Sequence, residues 1–262
     1  MAGVKSSKKT RKKASKKVPV RKPPKTVGRK QRRFQGRFWR LLRWPARVVL
    51  GLAVFACVWV FSYRMIDPPG GFYIASEAWR LDGINREWRD LEDISPRLVR
   101  AVIAAEDARF CDHYGFDFEA IQAAIESNRE GRRVRGGSTI TQQVAKNVFL
   151  WHQRSWVRKG LEAGFTVLIE FLWPKRRIIE VYLNNVEFAE GVFGAEAAAQ
   201  HHFGRPALAV TPTHAARMAA VLPSPKTRNA GRPTSGLKRR SRSILAGART
   251  IQAEGRDGCV WE

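Results

Sequence analysis

The clearest pattern in the chain is an apolar run near its N-terminus, RVVLGLAVFACVWVFSYRMI, in which residues 48–63 carry no charge between Arg47 and Arg64. A membrane-spanning helix needs about 20 residues, and arginines at its ends can extend to the headgroups. The alternative, a buried core helix of a soluble protein, should show a polar face, which this run lacks. We therefore predict a single uncleaved transmembrane anchor over residues 46–66.

After residue 94 the apolar positions recur at helical spacing, as in the run Val99, Val102, Ile103 and Phe110. Each run follows a residue suited to begin a helix. No alternation typical of strands persists, so we expect a mainly α domain. The predicted helices begin at Ser95–Pro96, Asp117, the stretch GGST at 136–139, Ser155 and Pro174, and shorter helices cover 194–201 and 213–222.

Charge divides the chain into segments. The formal net charge is +25, yet much of it lies in the first 47 residues, which hold no Asp or Glu. We expect a basic disordered tail over 1–45, which the positive-inside rule keeps cytoplasmic and next to anionic lipid. Mixed Pro, Gly and charge over 67–94 predict a periplasmic connector. The main domain is expected over 95–230, followed by a C-terminal extension over 231–262.

The three cysteines carry little information. Cys57 lies inside the predicted span, and Cys111 and Cys259 lie on its far side. Those two could pair in an oxidising compartment. The sequence by itself favours free thiols.

An acid interrupts the apolar stripe of the first predicted helix. Glu106 falls on the inward face, with His113 one turn further along. Burial raises the pKa of a carboxyl group and can make it a general base or acid near neutrality. A capped or salt-bridged glutamate at a helix end explains the position equally well. Asp107, about 100° around the helix, is interpreted as structural.

Two further clusters could carry chemistry. In RGGSTITQQVAKN, Ser138 or Thr139 can cap a helix, and Thr139, Gln143 and Lys146 share one face that could bind a sugar or a phosphate. In RSWVRKGLEAGF, Arg158 and Glu162 are four residues apart, next to Lys159. The alternatives are a solvated capped helix and an ordinary helix ion pair.

Five motifs in order resemble those of the bacterial peptidoglycan glycosyltransferases, specifically the monofunctional biosynthetic transglycosylases. They are EDARFCDHYGFD at 106–117, GGSTITQQVAKN at 136–147, RKGLE at 158–162, RIIEVYLN at 177–184 and AARMAAVLPSP at 215–225. The chain departs from the family's pattern at Ala189 and Glu190, where a glycine-containing turn is usual, and at His202, where an aromatic residue is usual. Only 24 residues follow Lys238, too few for a transpeptidase domain.

The resemblance implies a lysozyme-like, mainly helical domain that polymerises lipid II at the outer face of the bacterial inner membrane. Glu106 and Glu162 would be catalytic, the first as the base that activates the acceptor hydroxyl. No cofactor would be obligatory, and Mg²⁺ or Mn²⁺ near Glu162 is an option. The implied substrate-binding residues are Asp107, His113, Ser138, Thr139, Gln143, Lys146, Asn147, Arg158 and Lys159.

The resemblance also defines the expected partners: lipid II, the growing glycan strand, inner-membrane lipids and other cell-wall synthesis or division proteins, but no nucleic acid. The segment VFLW at 148–151 could lie in the membrane interface or in the core. Two rival functions remain. One is a lysozyme-like lytic transglycosylase or muramidase that cleaves glycan strands. The other is a tethered basic module that binds acidic lipid or nucleic acid.

Overall fold

The computed structural model of the 262-residue chain describes residues 1–4, 28–130, 137–153 and 155–262. It divides into two units, Met1–Gly51 and Leu52–Glu262. Most of the tail that was predicted to be disordered, residues 5–27, lies outside the described residues. Residues 28–45 differ from the prediction, because the first helix already begins at Gly28.

The elements confirm a mainly α fold. The helices are α1 (Gly28–Met65), α2 (Phe72–Arg80), α3 (Pro96–Glu106), α4 (Phe118–Arg129), α5 (Ile140–Val144), α6 (Trp156–Leu172), α7 (Lys175–Asn185), α8 (Ala195–Phe203), α9 (Pro212–Val221), α10 (Ser235–Glu254) and α11 (Gly258–Trp261). A π-helical turn, Ala145–Phe149, continues α5, and 3₁₀ turns occur at Leu91–Asp93 and Ala207–Ala209. The strands are β1 (Asn85–Arg86), β2 (Glu187–Ala189) and β3 (Val192–Phe193).

Part of α1 can cross a membrane. Its segment Arg43–Met65 is 23 residues long, apolar and almost entirely unburied, which corresponds to a length of about 34 Å. The predicted anchor therefore coincides with the one such helix among the described residues.

The C-terminal end of α1 is fixed to the domain by polar and aromatic contacts. Trp173 donates its indole N–H to the Val60 carbonyl at 2.8 Å, and Arg64 Nη1 donates to the Leu172 carbonyl at 2.8 Å. Trp59 makes edge contacts with Phe149 and Phe165. The anchor is therefore part of the folded unit at this end.

The sequence pattern missed a small sheet with strand order β1-β3-β2. β1 is parallel to β3, and β2 is antiparallel to it. Strands of two or three residues are too short to show a period-two pattern. The β2–β3 turn accommodates the unusual Ala189–Glu190 pair because Gly191 takes a positive φ of 70° and Glu190 forms an ion pair with Arg80.

The folded domain extends beyond the predicted 95–230 at both ends. The predicted connector contains α2 and β1, and Leu91 in it is fully buried. The predicted extension contains α10, which packs against α3 and α9 and buries Leu237, Ile244 and Ile251. Both flanking segments therefore contribute to the core.

The preference for free thiols was wrong for two of the cysteines. Cys111 and Cys259 form a disulfide, with their Cα atoms 5.7 Å apart and a sequence separation of 148. Cys57 is free and exposed. Sequence alone could not reveal the pair, because only the packing of α10 and α11 places Cys259 near the loop after α3.

Cys111→Ser or Cys259→Ser should lower the free energy of unfolding by about 2–5 kcal/mol, because the unfolded chain regains the freedom of a long loop. Denaturant titration of the solubilised protein measures this difference. Cys57→Ser serves as the matched control and should leave the unfolding free energy unchanged. Equal values for all three variants would contradict the bridge.

Candidate active site

Glu106 is the last residue of α3. Its Oε2 accepts a hydrogen bond from Gln143 Nε2 at 2.9 Å, and Gln143 Oε1 in turn accepts one from the Tyr182 hydroxyl at 3.2 Å. Among the described residues, Gln143 alone hydrogen-bonds to this carboxylate. The other oxygen of Glu106 is therefore available to take a proton from a bound molecule.

The surroundings of Glu106 favour its protonated form. Burial raises the pKa of its carboxyl group, and the neighbouring Asp107 acts in the same direction. The Gln143 hydrogen bond and the charges of Arg240 and Lys146 oppose this rise but do not cancel it. A carboxylate with a raised pKa is a stronger base than an ordinary glutamate, as general base catalysis requires.

Asp107 and His113 are buried and hydrogen-bonded within the protein. Asp107 Oδ1 lies 2.9 Å from His113 Nε2, and Asp107 Oδ2 accepts from the Ile140 N–H at 3.0 Å. His113 Nδ1 accepts from the Gly115 N–H at 3.1 Å. Their polar atoms are thereby occupied in joining the loop after α3 to the start of α5, which supports a structural role for both.

The start of α5 is a complete capping box. The Thr139 hydroxyl accepts from the Gln142 N–H at 3.3 Å and donates to the Gly115 carbonyl at 2.7 Å, while Gln142 Oε1 accepts from the Thr139 N–H. Of the two predicted capping candidates, Thr139 is therefore the cap, and Ser138 is exposed beside it.

The π-helical turn after α5 sets the direction of Lys146 and Asn147. Such turns add a residue to the helical repeat and are frequent at functional sites. Lys146 and Asn147 both line cavities, and the buried Oδ1 of Asn147 has no hydrogen-bond partner among the described residues. Nothing in the hydrophobic pattern indicates this turn.

Helix α6 buries its polar side. Ser155 caps it by accepting from the Arg158 N–H, and the buried residues are Arg158, Glu162, Thr166 and Ile169. Val157 and Leu161 near its start are exposed, whereas the further apolar residues Phe165, Leu168 and Leu172 are partly buried against the core. Trp156 and Phe171 are also 93% and 84% exposed. The first turns of α6 therefore bury a charged face, about 100° around the helix from Val157 and Leu161, in place of those apolar residues.

Three cations and one carboxylate meet at this polar face. Arg158 and Lys159 both donate to Glu162, each to a different oxygen. Burial lowers the pKa of Lys146, and the charges of Arg158 and Lys159 lower it further, against the opposing effect of Glu162. The site therefore carries excess positive charge and can bind an anion such as a phosphate.

Two cavities meet at Ser138. One, of about 370 Å³, is lined by Glu106, Asp107 and the start of α4. The other, of about 320 Å³, is lined by Gln143, Lys146, Arg158, Lys159 and Glu162. The structure thus places Gln143 between Glu106 and the cationic cluster, since Gln143 bonds to Glu106 and lines the second cavity.

The protein-family comparison matches residues 75–249 to the family described as Transglycosylase. This chain belongs to the transglycosylase family. It is 50% identical over 240 residues to a biosynthetic peptidoglycan transglycosylase of Jannaschia sp., which covers 92% of this chain and 97% of the relative. Proteins of the same name from Rhodospirillum centenum and Caulobacter vibrioides are each 48% identical, over 84% and 86% of this chain and 96% and 99% of their own lengths.

The matched range agrees with the wider domain seen in the structure, since it includes α10 as far as Arg249 and the end of α2. As a transglycosylase, the protein is an enzyme that transfers glycosyl groups. The motifs at 106–117, 136–147 and 158–162 supply the walls of its two cavities.

A divalent metal does not fit beside Glu162. Both of its carboxylate oxygens already accept from cations, and Lys146 adds a third positive charge nearby. A second group of side chains has the spacing of metal ligands, since its ligand atoms lie within 4.8 Å of one another: Asp107, His113 and Asp117. Asp107 and His113 are hydrogen-bonded to each other, and Asp107 and Asp117 also accept from backbone N–H groups. These hydrogen bonds already occupy the atoms that would bind a metal.

Sequence reasoning missed several residues of the transglycosylase site. Tyr182 completes the hydrogen-bond chain to Glu106, and Arg240 of α10 influences the carboxyl charge. His152 stacks on Tyr73 at 3.8 Å, and burial lowers its pKa to about 4. The motif at 177–184 marks the segment that contains Tyr182 but assigns it no role. The order of the chain gives no signal for Tyr73 and Arg240, because α2 and α10 reach the site only through packing.

The segment VFLW at 148–151 resolves into two parts. The first three residues are buried in the core, so the prediction that they lie in the membrane interface was wrong: Val148, Phe149 and Leu150. Trp151 is exposed.

Glu106→Gln should reduce glycosyl transfer by about 10²–10⁴-fold, because the amide cannot accept the proton. Its thermal stability should equal or exceed that of the wild type. The fold raises the carboxyl pKa, so the ionised group destabilises the folded state at neutral pH, and the amide removes that cost. Thermal unfolding and transfer rates measure both effects. Glu126→Gln, on the exposed side of α4, is the control, and unchanged activity in Glu106→Gln would contradict its assignment.

Glu162→Gln should lower the free energy of unfolding by about 3 kcal/mol, because it leaves Arg158 buried without its counter-charge. It should also lower the pKa of Lys146 further, since Glu162 now holds it up. Loss of activity at alkaline pH should therefore begin at a lower pH than in the wild type. An alkaline limb that does not move, measured by the pH dependence of the transfer rate, would contradict this coupling.

Proposed function

We propose that the enzyme polymerises lipid II into glycan strands and releases undecaprenyl diphosphate with inversion at the sugar carbon. The observation that supports this most directly is the position of Glu106, whose pKa is raised, next to a cavity with three cations. A reaction that expels a diphosphate needs both a base for the incoming hydroxyl and positive charge for the departing group.

Each bond change has a residue beside it. Glu106 takes the proton of the acceptor's 4-hydroxyl while that oxygen forms a bond to C1 of the growing strand. The bond from C1 to the diphosphate breaks, and its electron pair leaves with the diphosphate oxygen. Lys146, Arg158 and Lys159 stabilise this developing charge, and cations held in place beforehand are most effective there. Gln143 donates a hydrogen bond to Glu106 and also lines the cationic cavity. It therefore fixes the position of Glu106 relative to the cations.

The same geometry disfavours the lytic alternative. Cleavage of a glycan strand expels a sugar hydroxyl, which carries no phosphate charge. The buried Arg158 and partly buried Lys146 would then cost desolvation free energy without aiding the reaction. The tethered binding module is disfavoured for a different reason, because the basic tail that would serve it precedes the proposed membrane anchor in the sequence, whereas the cleft residues follow it.

The exposed apolar face of α6 supports a site at the bilayer surface. Trp156, Val157 and Phe171 are exposed, and Phe165 of the same helix contacts Trp59 near the end of the anchor. An apolar helix face rimmed by tryptophan is favoured at a membrane interface. We infer that the N-terminus is cytoplasmic and the catalytic domain periplasmic, where a lipid-linked substrate enters the cationic cavity from the bilayer.

Purified full-length enzyme incubated with labelled lipid II in detergent should yield polymer whose rate falls as the pH drops through the raised pKa of Glu106. The base works only when deprotonated, so this acidic limb should lie above the pH range of an ordinary glutamate. Heat-inactivated enzyme and Glu106→Gln are the controls. Absence of polymer, together with shortening of added glycan strands, would favour the lytic alternative and contradict the proposal.

A further inference from the structure

A third cavity, of about 490 Å³, opens at the N-terminal half of α10. Its lining includes Arg228, Arg239 and Arg240 together with the hydroxyl residues Thr234 and Ser243, and it contains no acidic residue. Arg239 and Arg240 are exposed, and neither forms an ion pair or side-chain hydrogen bond with the described residues. The cationic cluster around Glu162, in contrast, already contains a carboxylate.

The packing of α10 brings this cavity to the Glu106 side of the cleft. Gly247 of α10 lies against Ala104 of α3, so close that a Cβ at Gly247 would come within 3.3 Å of the Ala104 Cβ. Helices α3 and α10 are therefore in contact at Ala104, which precedes Glu106 by two residues. Arg240 lies seven residues earlier on α10, two turns along the same face.

The electrostatics agree with this placement. Among the charged groups that favour ionised Glu106, Arg240 acts more strongly than Lys146, and Asp107 opposes both. Arg240 and the cationic cluster line different cavities, and the charges of Arg240 and of Lys146 in the cluster both act on the Glu106 carboxylate. If the cluster holds the leaving diphosphate, Arg240 lies on the side from which the acceptor approaches.

The surface around α10 indicates which oxyanion fits. The guanidinium fork binds carboxylates and phosphates in a bidentate manner. The exposed residues of α10 around the cavity are mainly Lys238, Arg239, Arg240 and Arg242, and there is no exposed large apolar side chain between residues 209 and 260. Such a surface suits a water-borne group rather than a phosphate tied to a lipid tail. The peptide arm of a peptidoglycan precursor carries carboxylates of this kind.

We propose that Arg239 and Arg240, with Thr234 and Ser243, form an acceptor-side pocket that binds a carboxylate of the peptide arm and so places the acceptor hydroxyl at Glu106. This inference rests on the proposed polymerisation of lipid II. It assigns a substrate-binding part to α10, which the sequence motifs leave outside the site.

The test compares two substrates with full-length enzyme in neutral detergent: lipid II, and lipid II with the carboxylates of its peptide amidated. With ordinary lipid II, the double variant Arg239→Gln/Arg240→Gln should raise KM about 10-fold or more, the effect expected for a lost charged hydrogen bond, with a smaller change in kcat. With amidated lipid II, wild type and variant should have similar, raised KM values, because the two changes remove the same contact.

Two further variants sharpen the comparison. Arg242→Gln, an exposed arginine of α10 that does not line the cavity, should match the wild type on both substrates. Arg240→Lys should be intermediate, since it keeps the charge and loses the fork. A thermal unfolding midpoint equal to that of the wild type establishes that each variant is folded.

The possible failures are distinguishable. A double variant with unchanged KM, or one impaired equally on both substrates, overturns the carboxylate pocket. An effect that appears only when anionic lipid vesicles are added assigns the arginines to the membrane and also overturns it. Wild-type enzyme that makes no polymer from either substrate contradicts the proposed function instead.

Discussion

The arrangement of the cleft depends on the carboxylate of Asp107. One of its oxygens is bonded to His113 and the other to the first backbone N–H of α5. These two contacts join the end of α3 to the start of α5, so that Glu106 and Gln143 face each other. Because Asp107, His113 and the Ile140 N–H are buried, the loss of one partner would leave an unsatisfied polar atom in the interior. Glu106 is therefore held in place through its neighbour in sequence, Asp107.

A second constraint is that α6 buries an ion pair in its first turns while several of its apolar residues are exposed. A helix that buries Arg158 and Glu162 while exposing Trp156 and Phe171 would be unfavourable in water alone. Two conditions offset this cost. The buried charges pair with one another. Under the proposed function, the exposed apolar residues would contact lipid and the charged side would face the leaving diphosphate.

The segments that flank the motif-bearing region complete the enzyme. The end of α1 is bonded to Leu172 and Trp173, so the anchor and α6 keep a common orientation. At the other end, Arg100 and Asp257 form an ion pair at 2.7 Å, and the Cys111–Cys259 disulfide joins α11 to the loop after α3. The loop that follows the proposed base is therefore held by the C-terminus, and α10 lies close enough for Arg240 to act on Glu106.

The sequence by itself determined the features that local physics controls. The anchor follows from an unbroken apolar run, the starts of α3, α4, α6 and α7 follow from Ser95, Asp117, Ser155 and Pro174, and Glu106 is conspicuous as an acid on an apolar stripe. The tertiary structure decided which face of α6 is buried, where the π-helical turn points Lys146, whether Cys111 is bridged, and that Asp107 and His113 bond to each other. Those outcomes depend on contacts between residues far apart in the chain, and periodicity and capping report only on neighbours within a few turns.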